Sequence, residues 1–350
     1  MIPLYKPYMP AELPELENIL HSGVLNYSKW GREFESRLRS YIGNDNVLTT
    51  NIYSHAIHIV LATLGLKPGD EVIASPMACL VSNQPLLTYG LKVKWVDIDP
   101  HRGTLNPERV EKAISSDTKL IYHNHFCGYV GYVDEINSIA RKHGVLVVDD
   151  CVEAFGSEYK GKKTGNLGTD ASVFSFQTVR MPNTIDGGAI AFADDRYMAQ
   201  AAMIRDCGID RPRFRDDNGE ITPECDITIK GYAGTMSELN SYIGCVQMDN
   251  LYNLISKQRK NALDWNARIE SYPTIKRLAA GESVNPNYWV YGILSENKEQ
   301  DMLILREQGF YVSGVHLPNS YYSVFGDQVQ LPGVQEFYRK FLALPCGWWV

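Results

Sequence analysis

The chain has 350 residues, 44% of them hydrophobic and 21% charged, ordinary figures for a soluble globular protein able to bury a large core. A formal net charge of −7 argues against nucleic acid or a membrane surface as partner, since both call for basic patches. No apolar run is long enough to cross a bilayer, the opening Met1 to Pro7 has no signal-peptide core, and seven cysteines are scattered without a CxxC pair. A cytoplasmic location with reduced thiols is the expectation.

In chain order, residues 10–42 carry a helical apolar spacing through Leu13, Leu16, Ile19 and Leu20, interrupted at Ser22-Gly23 and resumed by Phe34 to Leu38. A strand is expected over Asn46 to Thr50, a turn over Asn51 to Ser54, and a helix from Ala56 to Leu64 that Gly65 ends. Strand–turn–helix order presents helix amides at a sheet edge, which makes an anion site. Strands then alternate with helices: Glu71 to Ala74, Val93 to Ile98, a helix capped by Asn106 with Pro107 first, Leu120 to His123, a helix over Val133 to His143, and Val145 to Asp150. Apolar strands separated by helices imply an α/β fold with a mostly parallel, doubly covered sheet. Ligands of such sheets lie at the carboxyl ends of strands, beside Asp149 and Asp150. Residues 206–230 read as a polar surface loop and 236–270 as one long helix. The tail gives strand, helix and strand, with a strand expected over Phe310 to Val315. Two domains follow from this: residues 1–235, and residues 236–350 with the long helix and a small α/β unit.

The central stretch is the hairpin Val173-Phe174-Ser175-Phe176 and Ala189-Ile190-Ala191-Phe192, joined through Arg180 and Asp186-Gly187-Gly188. It resembles the cofactor-lysine strand of the DegT-type nucleotide-sugar aminotransferases, fold-type-I enzymes that use pyridoxal phosphate (PLP). In that family the strand reads roughly Ser-Phe-x-x-x-Lys, with Glu/Asp-Gly-Gly following at the spacing kept here. Further pieces stand in family order over essentially the whole chain: Pro68-Gly69-Asp70-Glu71-Val72-Ile73, Val96-Asp97-Ile98-Asp99-Pro100, Met236-Ser237-Glu238-Leu239 and Gly314-Val315-His316. The resemblance implies the fold-type-I architecture, a large domain with a seven-stranded sheet plus a small C-terminal domain. It also implies a nucleotide-linked sugar as substrate and a homodimer with shared active sites. Asp150 takes the place of the aspartate that pairs with the pyridinium nitrogen, and Ser175 and Ser54 those of phosphate ligands.

Six residues at five places depart from the family pattern. Arg180 stands in the place of the Schiff-base lysine, and a guanidinium with pKa above about 12 can neither form an imine nor serve as a base. Glu153 replaces a glutamine beside the ring, Leu80 a stacking aromatic, Tyr53 and His55 the small residues of the phosphate turn, and Ala233 an asparagine. Any PLP, or its amine form PMP, is therefore expected to bind non-covalently or not at all. Arg180 is expected to form a bidentate ion pair with Glu153, Asp150 or both, with His316 and His125 as acid–base candidates. No spacing of His, Cys, Asp or Glu suggests a metal. Three functions stay open: an enzyme acting on a nucleotide-linked sugar without covalent PLP, a non-catalytic paralogue that binds the sugar or an active relative, and an ordinary aminotransferase if a lysine natively stands at 180.

Overall fold

The computed structural model describes residues 1–350. In chain order the helices are α1 (Leu16–His21), α2 (Lys29–Ile42), α3 (Tyr53–Thr63), α4 (Leu80–Thr88), α5 (Pro107–Ala113), α6 (Val133–His143), α7 (Met198–Arg205), α8 (Glu238–Ile269), α9 (Lys298–Glu307) and α10 (Pro332–Lys340). The strands are β1 (Val47–Thr50), β2 (Glu71–Ala74), β3 (Lys92–Trp95), β4 (Thr118–Asn124), β5 (Leu146–Asp150), β6 (Glu158–Tyr159), β7 (Lys162–Lys163), β8 (Ala171–Ser175), β9 (Gly188–Phe192), β10 (Ile275–Arg277), β11 (Val284–Asn285), β12 (Tyr291–Ser295) and β13 (Phe341–Leu344).

Seven strands make the main sheet in the order β1-β9-β8-β5-β4-β2-β3. Only β9 runs against its neighbours, because it returns directly from β8 through the 176–187 hairpin, whereas the parallel strands are joined by helical crossovers. The apolar strand runs are buried on both faces. Phe34, Leu38, Phe174, Phe176 and Ile255 pack under α2 and α8, and Ile73, Val110, Ile121, Ile136 and Val147 under α5 and α6. The Phe34 ring enters where α8 has no side chain: a Cβ on Gly244 would stand 2.6 Å from it.

Sequence punctuation works as expected at several ends. Asn106 caps α5, its Oδ1 accepting from the amides of Glu108 (3.0 Å) and Arg109 (3.3 Å), and Gly144 closes α6 at φ 67°. Within Met236-Ser237-Glu238-Leu239, Ser237 caps α8 through the Asn240 amide, while Glu238 reaches across to α2. There its carboxylate accepts from the amides of Ser28 (2.7 Å), Trp30 (3.0 Å) and Gly31 (3.0 Å), an anion on a helix N-terminus.

Three expectations need correction. The helix expected from Ala56 begins at Tyr53, so the supposed turn is the first turn of α3, with Ile52 extended before it. The helical reading of residues 10–42 resolves into α1 and α2, parted by the Ser22-Gly23 break and by Ser28, whose backbone is not helical. Residues 310–315 form no strand, only single bridges from Phe310 to Ile2 and from Ser313 to Ala343; β13, which follows α10, fills the expected place beside β12. Two three-stranded sheets accompany the main one, β10-β12-β13 and β11-β6-β7.

Candidate active site

Asp150 and Ser175 end the parallel strands β5 and β8, and Arg180 follows in the hairpin beyond β8. Glu153 lies in the turn after β5. Arg180 and Glu153 are both buried, 8% and 4% exposed. Arg180 Nη1 stands 3.7 Å from Glu153 Oε1, and the guanidinium lies 4.2 Å over the Trp289 ring. The expected bidentate pair is not formed: one long contact to Glu153 replaces it, and Asp150 has no contact with Arg180. The ring of Trp289 holds the guanidinium flat, and Nε and Nη1 are left buried without a hydrogen-bond partner.

Glu153 is better satisfied. Its Oε1 meets His316 Nε2 at 2.8 Å, and its Oε2 accepts the Cys127 amide at 2.7 Å. Burial alone would raise the carboxyl's pKa, but His316, Arg180 and the Cys127 amide outweigh it and hold Glu153 below its ordinary range. Cys127 and Val315 adopt left-handed backbone (φ 54° and 62°), one to aim its amide at Glu153 and the other directly before His316. With Nε2 directed at a carboxylate, the lone pair of His316 falls on Nδ1, and the side chain is 14% exposed.

Asp150 belongs to a separate cluster. Tyr53 donates its hydroxyl to Asp150 Oδ1 at 2.5 Å and lies 3.0 Å from the Tyr122 hydroxyl. The Val152 amide donates to the same oxygen (3.1 Å), whereas Oδ2 is buried and unpartnered. Burial pushes the Asp150 carboxyl above its ordinary pKa even though Tyr53 and the Val152 amide favour the anion.

The other candidates divide. Ser175 is buried and lines a small cavity with Val152, Glu153, Arg180 and Trp289; its volume is about 10 Å³, room for a single water. Ser54 and His55 lie on the first turn of α3, where His55 Nδ1 pairs with Asn51 Oδ1 at 2.7 Å. Leu80 opens α4 and is 36% exposed. His125 is not placed for acid–base work. It is buried with His123 around Asp149, at 3.5 and 3.3 Å, and its Nδ1 accepts the Gly131 amide. That bond fixes the proton on Nε2, facing Asp149, and closes the nitrogen to a metal as well. Those imidazoles overcome burial and keep Asp149 below the ordinary carboxylate range.

Sequence reading missed Tyr5 and Trp289. The Tyr5 ring stacks on Trp289 at 4.7 Å, with its buried hydroxyl unpartnered. Trp289 stands just before β12, and nothing local in either segment signals that the two rings stack.

A profile of the DegT/DnrJ/EryC1/StrS aminotransferase family matches residues 9–348. The chain belongs to this family. The fold agrees with that of the sugar aminotransferase CalS13 from Micromonospora echinospora, at a TM-score of 0.93 and 26% identity, covering 100% of this chain and 96% of that one. Among curated relatives, a UDP-4-amino-4,6-dideoxy-N-acetyl-beta-L-altrosamine transaminase of Campylobacter jejuni is 26% identical over 96% of this chain and 89% of its own. A pleiotropic regulatory protein of Geobacillus stearothermophilus is 27% identical over 97% and 90%.

The family's cofactor can be tested against these side chains. The unpartnered Asp150 Oδ2 and buried Ser175 suit it. The rest does not: no lysine occurs between Lys163 and Lys230, Tyr53 holds Asp150, and about 10 Å³ remains beside Arg180. The residues present do not fit a lysine-held pyridoxal group.

Proposed function

We propose that this DegT-family chain binds a nucleotide-linked sugar and acts on it through its own side chains, without a lysine-held cofactor. The observation that carries the reading is the buried guanidinium of Arg180, with two unused donors, beside the hydrogen-bonded Glu153–His316 pair. A fixed cation with free donors offers a place for an oxyanion or a sugar carbonyl oxygen. His316 Nδ1 is the proton carrier, and Glu153 positions the imidazole by accepting from its Nε2. The sugar's bulk would lie outside the inner cavity, which holds no more than a water. The substrate class comes from the Campylobacter relative, whose name is that of a UDP-sugar transaminase. The homodimer with shared sites that the family resemblance implies belongs to this proposal too.

The test is a calorimetric titration of the protein with a UDP-N-acetyl amino sugar, first without and then with PLP or PMP. Saturable binding without either, weakened at least tenfold by Arg180→Met, is expected. Binding that starts only once PLP or PMP is present refutes the reading. A second reading, a non-catalytic partner or regulator, is favoured by the tyrosine held on Asp150 and by the Geobacillus relative's name. It predicts sugar binding with no proton exchange from the bound sugar into deuterated water.

A further inference from the structure

The side chain of Tyr53 joins two points that the family resemblance assigns to opposite ends of one cofactor. It leaves the first turn of α3, beside Ser54, where the phosphate would be held, and it ends on Asp150, the partner of the ring nitrogen. Along that path it places a six-membered aromatic ring, 1% exposed, whose terminal hydroxyl donates to the carboxylate at 2.5 Å. Tyr122 at 3.0 Å and Ser82 at 3.4 Å complete a polar setting around the hydroxyl, so its place is fixed by partners on β4 and α4. The second glycine after Asp186, Gly188, serves the same end. A Cβ on Gly188 would come within 2.9 Å of Thr50 Oγ1 and 3.1 Å of Tyr53 Cα, so only glycine on β9 lets this first turn settle where it does.

We propose that Tyr53 is a built-in occupant of the cofactor site: its phenol takes over the ring's place and its bond to Asp150, and the chain binds neither PLP nor PMP. The Tyr53 substitution and the loss of the lysine are then two independent barriers. A lysine at 180 alone would not restore the site, since a reactive amine would face a filled pocket. This inference shares with the proposed function only the missing lysine and says nothing of the sugar.

The experiment compares visible imine absorbance on titration with PLP in four proteins: the native chain, Arg180→Lys, Arg180→Lys/Tyr53→Gly and Arg180→Lys/Tyr53→Ser. Each is first checked for native circular dichroism and a cooperative melt, and the serine variant stands in should glycine unfold α3. PMP, which needs no lysine, is titrated into the native chain and Tyr53→Gly by calorimetry. Imine in at least one folded double variant but not in Arg180→Lys is expected, as is PMP binding at least tenfold tighter to Tyr53→Gly than to the native chain. Imine formation in Arg180→Lys with Tyr53 in place, or native PMP affinity equal to that of Tyr53→Gly, overturns the assignment and leaves the sugar reading standing. Folded double variants that form no imine overturn it too, because some other group then fills the site. Failure of sugar binding in the native chain, by contrast, leaves the tyrosine assignment untouched.

Discussion

The molecule contains two buried arginine–glutamate pairs, and they are built differently. Arg205 and Glu35 meet at 2.6 Å, and Arg205 Nη1 also donates to the Thr49 carbonyl at 2.9 Å. Glu35 accepts further from the Thr49 amide (2.9 Å), its hydroxyl (3.0 Å) and the Tyr27 hydroxyl (2.7 Å). This pair ties α2, β1 and α7 together. Arg180 touches Glu153 only at 3.7 Å and leaves two donors unused. The difference is one of degree: Arg205 also leaves its Nε buried and unpartnered, but its Nη1 makes two short bonds where Arg180 Nη1 makes none. On the proposed reading the tightly bonded pair is scaffold and the loosely bonded one belongs to the site.

Breaking the tightly bonded Arg205–Glu35 pair should have the largest effect. Arg205→Ala and Glu35→Ala should each cost about 3–5 kcal/mol in urea unfolding, because each strands a buried opposite charge. Arg180→Met should cost no more than about 1 kcal/mol, since Glu153 keeps His316 and the Cys127 amide. A loss at 180 equal to that at 205 would erase the distinction and mark Arg180 as structural.

Acid should act next. Glu153 is depressed below its ordinary value of 4.5, so its stabilising contribution is complete above that value and is lost as pH falls below it. Melting temperature against pH should therefore show a shallower acid limb for Glu153→Gln than for the native chain. Asp150 has the opposite sign. Its carboxyl is raised above 3.8 by burial, so ionisation costs stability once pH climbs past that value. Asp150→Asn, whose carbonyl can still accept from Tyr53, should raise the melting temperature slightly at neutral pH. A fall would mean that the anion itself is needed there.

Much of this architecture is legible in the sequence for physical reasons. Buried parallel strands announce themselves as apolar runs, and Asn106-Pro107 and Gly144 mark helix ends through backbone requirements that are local. The meeting of Arg180 with Glu153 is legible in part, because both follow the carboxyl ends of neighbouring strands. Their geometry is not. Spacing assigns residues to faces and strand ends, but rotamers follow from partners far along the chain, and Trp289 and Tyr5 turn an expected bidentate pair into a stacked guanidinium. His125 misleads for a similar reason. Its role depends on the Gly131 amide that fixes its proton, and no spacing reveals that bond. Tyr53 is visible as a misfit in a small-residue turn, yet its reach to Asp150 appears only once β5 and α3 are packed.

The most direct test of the central claim, that no lysine holds a cofactor here, is reductive trapping. The native protein is incubated with one equivalent of PLP, treated with borohydride and mapped by peptide mass. We predict no lysine labelled in stoichiometric yield, only scattered partial labelling of exposed lysines. One lysine modified to completion, wherever it lies in the chain, would show that an amine of this chain does hold the cofactor, and would contradict the account.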